Sequence, residues 1–362
     1  MSQEVHRNIE NLPITQVQFK SALNLTLILT YRCNLNCKHC LVGDRRYHPI
    51  TDLNLDLIKK LSSEAESIGV FTIVLNGGEP MVRHDFFDIL KILNKHGLST
   101  ILLTNGLLLS PQNIKKMQQL GVIAYRVSIE GSNPKTNDLI RGQDTFKKIV
   151  ENVKNLVNLS DAEVEIAVTY GKHNINEIEE IVNLALKLGV DSIKFASLRP
   201  EGFGKDLTNL VPSIEEQVLV NLKLEKLQEL YPEIRIEGDG YRISQKNIVC
   251  GIANSLTIKP DGSIIPCDVF EVIDSADVIL GNINSSSIEE IWNSKKAIQL
   301  RNLVRRENKE SCKNCIWVDR CFTYCIAECY KVCESFIPNN KFLHQCRRYH
   351  EIYDKIIYEN NR

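Results

Sequence analysis

Thr30-Tyr31-Arg32-Cys33-Asn34-Leu35-Asn36-Cys37-Lys38-His39-Cys40 is the stretch from which the rest of the chain can be read. Its three cysteines, spaced C-x3-C-x2-C, follow an apolar run from Leu23 to Leu29 whose alternation predicts a buried strand. Cys33, Cys37 and Cys40 therefore sit in the loop just beyond a strand's C-terminal end. Three thiolates can hold three corners of a 4Fe-4S cube and leave the fourth iron to a ligand that is not protein. An open metal position keeps room for a substrate or cosubstrate. Zinc is the alternative, but it usually takes paired C-x2-C knuckles and closes at four ligands.

Downstream, strands and helices alternate. Leu53 to Ile68 reads as a helix, and a strand at Phe71 to Leu75 runs into Asn76-Gly77-Gly78-Glu79-Pro80. A glycine pair there lets backbone come close to a ligand, and a carboxylate can accept hydrogen bonds from a bound ammonium group. Helices follow at Phe86–His96, Ser110–Leu120, Thr145–Leu159 and Asn176–Leu188. Between them lie strands at Ser99–Thr104, Val122–Ile129, Glu163–Thr169 and Ser192–Ser197. Such alternation argues for parallel βα units, and six of them suit an α/β fold of the open, TIM-like (β/α)6 partial-barrel kind. Chemistry in barrels gathers at the C-terminal ends of strands, where the cysteine loop, Gly77 to Pro80, Thr104, Asn105 and Ser128 all fall. Arg141, in the Ile140-Arg141-Gly142 turn, carries a guanidinium fork suited to a carboxylate.

The cysteine spacing, with Gly77-Gly78-Glu79-Pro80 one strand later, resembles the radical S-adenosylmethionine (SAM) superfamily. The resemblance implies that SAM chelates the open iron through its amino and carboxylate groups. One electron from the cluster would release a 5′-deoxyadenosyl radical, which abstracts a hydrogen atom. It further implies that Gly77, Gly78, Glu79 and Pro80 hold the amino group of SAM. Thr104 and Asn105 would line the same site, and Ser128 and Arg141 would contact its ribose and carboxylate. The segment Leu198 to Gly202 would meet adenine, and His39 would pack beneath the cluster rather than ligate it.

The second half is rich in cysteine. After an amphipathic helix at Pro212 to Leu230, the order is Cys250-x11-Gly262-x4-Cys267, a gap, Cys312-x2-Cys315-x5-Cys321-x3-Cys325, a gap, and Cys346. This arrangement resembles the SPASM extension of radical SAM enzymes, which binds two auxiliary iron–sulfur clusters. By that resemblance Cys312, Cys315, Cys321 and Cys346 close the second auxiliary cluster, and Cys250, Cys267 and Cys325 hold the first, one ligand short. Two structural zinc sites are the alternative. Cys329 and Cys333 continue a four-residue repeat from Cys321 and Cys325, which on a helix trails along one slowly rotating face. Either could complete the first auxiliary cluster or donate a hydrogen atom, or be a buried inert thiol. Asp268 follows Cys267 directly, where anaerobic sulfatase-maturing enzymes carry a general base. A carboxylate beside a cluster could take a proton as a substrate radical is oxidised.

Composition bounds the partners. The 362 residues allow about two domains. We divide them into an N-terminal segment (1–22), a barrel (23–212), a connecting helix and bridge (213–245) and an auxiliary-cluster domain (246–362). A net charge of -1 gives no electrostatic footprint for nucleic acid or an anionic membrane. No apolar run approaches the roughly 20 residues of a membrane span, and Met1 to Glu10 lacks a signal-peptide core. Twelve cysteines at ligand-like spacings suit metal binding in a reducing cytoplasm better than disulfides. The resemblance points to a peptide or protein substrate, as in crosslinking or epimerisation of precursor peptides or oxidation of a sulfatase side chain. An electron donor such as flavodoxin or ferredoxin would be needed. With only residues 1–22 before the first strand, a separate protein or the barrel itself would bind any leader. The same shortness favours small molecules such as aminocyclitols or tetrapyrroles as the alternative substrate. A non-enzymatic iron–sulfur or zinc scaffold is the remaining alternative.

Overall fold

The computed structural model describes residues 19–47, 51–238, 250–304, 312, 314–317 and 325–360. Six parallel strands pair in chain order: β1 (Asn24–Ile28), β2 (Thr72–Asn76), β3 (Ser99–Thr104), β4 (Val122–Ser128), β5 (Glu163–Tyr170) and β6 (Ser192–Ser197). The connecting helices are α1 (Leu55–Ser67), α2 (Phe86–Lys95), α3 (Pro111–Gln119), α4 (Pro134–Arg141), α5 (Thr145–Leu159) and α6 (Ile178–Leu188). Alternate strand residues, among them Leu25, Leu27, Ile73, Leu75, Tyr125, Val127, Ile166 and Phe195, share one core with Ile58, Leu61, Ile89, Leu93, Ile149, Val153 and Val182 of the helices. Period two on the strands and 3.6 on the helices bring these sets face to face.

Side chains fix where the helices start. Asn54 accepts the amide of Leu57 at the head of α1, and Ser110 accepts that of Asn113 ahead of Pro111 in α3. A capping box of Ser213 and Glu216 opens α7 (Ile214–Leu230). The eight-residue α4 was not expected. It starts at the Asn133 cap and ends at Arg141, so Arg141 closes a helix rather than sitting in a turn; Gly142 follows with φ +110°.

The sheet also runs past the six expected strands. β7 (Arg235–Glu237) adds parallel to β6, and β8 (Ser255–Ile258) adds parallel to β1 on the other side. β9 (Ser263–Ile265) and β10 (Gly281–Asn282) follow antiparallel, giving the order β10-β9-β8-β1-β2-β3-β4-β5-β6-β7. The sheet thus crosses the division drawn at 245/246. The second half carries α8 (Ile288–Trp292), α9 (Lys295–Leu303), α10 (Ile326–Cys333) and α11 (Asn340–Asn360). A second core joins Ile252, Ile265, Phe270, Leu300, Ile326, Cys329 and Phe342. α11 returns to α7 through Val218, Tyr349 and Tyr353. Among the described residues no helix is long and apolar enough to cross a membrane.

Candidate active site

Beyond β1 the backbone enters the cysteine loop alongside the turn that follows β2. Gly78 N donates to Thr30 O at 2.7 Å and Glu79 N to Arg32 O at 2.9 Å. A Cβ on Gly77 would lie 2.3 Å from Thr30 O, and one on Gly78 would lie 2.2 Å from Arg32 O. Gly77 also has φ +143°. These glycines are therefore required by the close approach of two stretches of this chain. Arg83 braces the same junction. Its guanidinium donates to Leu29 O (3.0 Å) and Leu53 O (2.9 Å) and is paired with Asp85.

Glu79 is fully buried, and its carboxylate is occupied. Thr104 Oγ1 lies 3.0 Å from both oxygens, Asn105 N donates at 2.7 Å and Met81 N at 3.2 Å. Burial pushes the carboxyl above its usual range, against the pull of these hydrogen bonds. Glu79 thus joins the ends of β2 and β3. Asn105, whose backbone Glu79 holds, turns its side chain to the loop. Nδ2 donates to Asn34 Oδ1 at 2.7 Å and lies 3.7 Å from Cys33 Sγ, which also accepts Leu35 N at 3.4 Å.

A second charged group flanks the loop beyond β4. Glu130, 1% exposed, meets His39 Nε2 at 3.0 Å, accepts from Arg141 Nε and Nη2 at 3.1 and 3.0 Å, and accepts Thr169 N at 2.5 Å. Burial alone would raise its carboxyl; the neighbouring His39 and Arg141 outweigh it and hold it down to about 2. Lys38 N donates to Ile140 O at 2.9 Å, so the cysteine loop is stitched to α4. His39 is hydrogen-bonded to Glu130, and Arg141 already holds a carboxylate of its own chain. Ser128 ends β4, half-buried. The Leu198–Gly202 segment lies on the loop's far side, where Phe203 N donates to Cys40 O at 2.9 Å and a Cβ on Gly202 would meet that oxygen at 2.3 Å.

Cys33, Cys37 and Cys40 are all part-buried, and burial pushes the Cys37 thiol up to about 11. Thiols from one loop, one of them already met by N–H donors, fit an iron–sulfur cluster. Among the described residues no three His, Cys, Asp or Glu side chains converge as a single metal ion would require.

In the second half, Cys250 precedes the turn Gly251–Ala253, Cys267 the turn Asp268–Val272, and Cys325 the helix α10. Burial first, then the proximity of Asp268, Cys250 and Cys325, pushes the Cys267 thiol up. Cys315 N donates to Cys312 O at 3.1 Å, and Cys346 is half-buried on α11; Cys321 lies outside the described residues. Of the described part of the four-residue repeat, Cys329 and Cys333 lie on α10 and Cys325 is its cap residue. Cys329 is fully buried with Sγ 3.4 Å from Ser335 O, and the half-buried Cys333 accepts Asn339 N at 3.4 Å. Asp268 is exposed. Its neighbour Glu271 is the acid that the structure buries: it accepts the hydroxyl of Tyr31, two residues before Cys33, and lies 3.9 Å from Arg45 Nε. Nothing in the sequence pairs residues so far apart.

Comparison with known proteins accounts for both halves. Residues 27–185 match the Radical SAM superfamily and residues 250–316 the SPASM iron–sulfur cluster-binding domain. Mycofactocin maturase MftC of Mycolicibacterium smegmatis is 27% identical over 342 residues, covering 88% of this chain and 83% of that protein. The AdoMet-dependent heme synthase of Methanosarcina barkeri is 28% identical over 338 residues, covering 87% and 94%. In fold, the chain resembles Streptococcus suis SuiB bound to precursor peptide SuiA (TM-score 0.71, 16% identity, 93% of this chain and 78% of that one). It equally resembles anSMEcpe with bound AdoMet and Cp18Cys peptide (TM-score 0.72, 20% identity, 94% and 99%). The chain is an enzyme that carries a Radical SAM domain joined to an iron–sulfur cluster-binding SPASM domain.

Proposed function

We propose that the chain is a peptide or protein maturase that abstracts a hydrogen atom from a residue of its substrate. When bound, a 4Fe-4S cluster and SAM supply the 5′-deoxyadenosyl radical for that step. Cys33, Cys37 and Cys40 would hold the cluster. The backbone of Gly77 to Pro80 would take the amino group of SAM, because the Glu79 carboxylate is committed to Thr104, Asn105 and Met81. Arg141 would meet the SAM carboxylate through the part of its guanidinium not bonded to Glu130, and Ser128 would meet the ribose. Cys250, Cys267 and Cys325, and separately Cys312, Cys315, Cys321 and Cys346, would hold two auxiliary clusters. Cys329 or Cys333 would complete the first, and Asp268, exposed beside Cys267, would take a proton. A flavodoxin or ferredoxin would deliver the electron.

The observation that carries this reading is the convergence of the cysteine loop, the Gly77–Pro80 turn, Asn105 and the Glu130–Arg141 pair at the C-terminal ends of β1 to β4. The maturase reading draws its substrate class from MftC and from the peptide-bound SuiB and anSMEcpe structures. The heme synthase relative favours a tetrapyrrole as the second reading. Anaerobic incubation of reconstituted protein with SAM and dithionite tests the chemistry, and release of 5′-deoxyadenosine is expected. Deuterated candidate peptides and tetrapyrroles then separate the readings, since only the true substrate transfers deuterium to that product. Silence from a fully loaded sample would sink the enzyme reading in favour of a scaffold.

A further inference from the structure

We infer that Asn105 is a redox-tuning residue, whose side-chain amide donates a hydrogen bond to the sulfur of Cys33 and raises the reduction potential of the cluster held there. The inference rests on Cys33, Cys37 and Cys40 being the cluster ligands. Asn105 is 7% exposed, and its backbone N and both ends of its side-chain amide have partners. Its backbone N donates to Glu79 Oε2 at 2.7 Å, and its Oδ1 accepts Leu107 N at 3.0 Å. The second contact fixes which end of the amide is oxygen and so turns Nδ2 toward the cysteine loop. Nδ2 donates to Asn34 Oδ1 at 2.7 Å and lies 3.7 Å from Cys33 Sγ, within the longer reach of an N–H···S bond.

The direction of the effect follows from charge. Reduction adds an electron to the cluster and negative charge to its sulfurs. A fixed N–H dipole pointing at one of them stabilises the reduced state more than the oxidised one, and hydrogen bonds to sulfur are among the levers that set such potentials. Leu35 N donates to the same sulfur at 3.4 Å, so Cys33 receives two N–H groups. The buried carboxylate of Glu79, through Asn105 N and Thr104 Oγ1, acts as the positioning residue for the donor.

The test uses the full chain, reconstituted anaerobically, with iron and sulfide measured and the potential followed by EPR on the signal that changes when SAM is added. Asn105→Ala and the isosteric Asn105→Asp are expected to keep their iron and to shift the midpoint to more negative potential, Asp further because it adds a charge. Selective 15N labelling of asparagine side chains should give the reduced wild-type cluster a nitrogen hyperfine coupling that Asn105→Ala loses. An unchanged midpoint in an iron-replete variant overturns the inference. So does the absence of that coupling in the wild type, which needs no variant to fold. A wild type with no SAM-responsive signal would instead sink the assignment of the cysteine loop as the cluster site, a separate failure.

Discussion

Glu130 is the residue on which the flank of the cysteine loop depends, because it is buried as an anion between His39 and the guanidinium of Arg141. Removing one member of a buried, hydrogen-bonded pair leaves the other charge without compensation, at a cost of about 3–5 kcal/mol. Glu130→Ala should destabilise the metal-free chain by that order in denaturant unfolding. The double variant with Arg141→Ala should cost less than the sum of the single changes; strict additivity would mean the pair is not coupled. The pH dependence has a defined sign. Because the folded carboxyl is held down to about 2, below its value in the unfolded chain of about 4.3, the stabilisation is fully present above that value. It is lost as pH falls toward 2, since the unfolded state then binds the proton first. The stability gap between wild type and Glu130→Gln should therefore narrow between pH 5 and pH 3. The sequence offered Arg141 as a ligand for a carboxylate, and chemically that was sound. What it could not give was the identity of the first carboxylate in reach, eleven residues earlier in the same chain.

At the scale of elements, what could be read depended on length. β1 to β6 and their long helices show several turns of their period, so alternation alone located them. β7, β9 and β10 span three residues or fewer, too short for a period to appear, and β8 spans only four. The contacts that join the halves were beyond reach for another reason: they are single pairs, set by the fold rather than by a pattern. Tyr31 and Glu271 are such a pair, joining the start of the cysteine loop to the turn after Cys267. Glu271 Oε2 is buried and has no partner among the described residues, so the Tyr31 hydroxyl is the main compensation for this acid. Tyr31→Phe keeps the ring's packing and removes the donor. It should cost about 1–3 kcal/mol, as for a buried polar group left unbonded. Hydrogen exchange should quicken within Asp268–Val272 while β3 to β6 stay protected. Uniform loosening of the whole chain, or no change at all, would deny the pair its joining role.

For the whole molecule, the consequential fact is that β8 lies beside β1. A barrel half and a cysteine-rich half could have been two bodies on a tether, as a division at 245/246 suggests, yet the same sheet passes through both. In β1 the residues Asn24 to Leu27 pair with β2 on one side and with Ser255 to Ile258 on the other. The first half expressed without the second would thus turn a central strand into an edge. Its unpaired N–H and C=O groups would be open to pairing with another chain, and the strand's alternate residues Leu25 and Leu27, fully buried in the whole protein, would lie next to that edge. The second half would lose its anchor too, since β9 and β10 join the sheet to β1 through β8. A fragment of residues 19–238 should therefore be far less soluble than the full chain and should associate on sizing columns. Co-expression with residues 250–360 should recover a soluble one-to-one complex. A soluble, monomeric fragment with the full chain's thermal stability would mean that β1 tolerates an open edge and that the halves are independent after all.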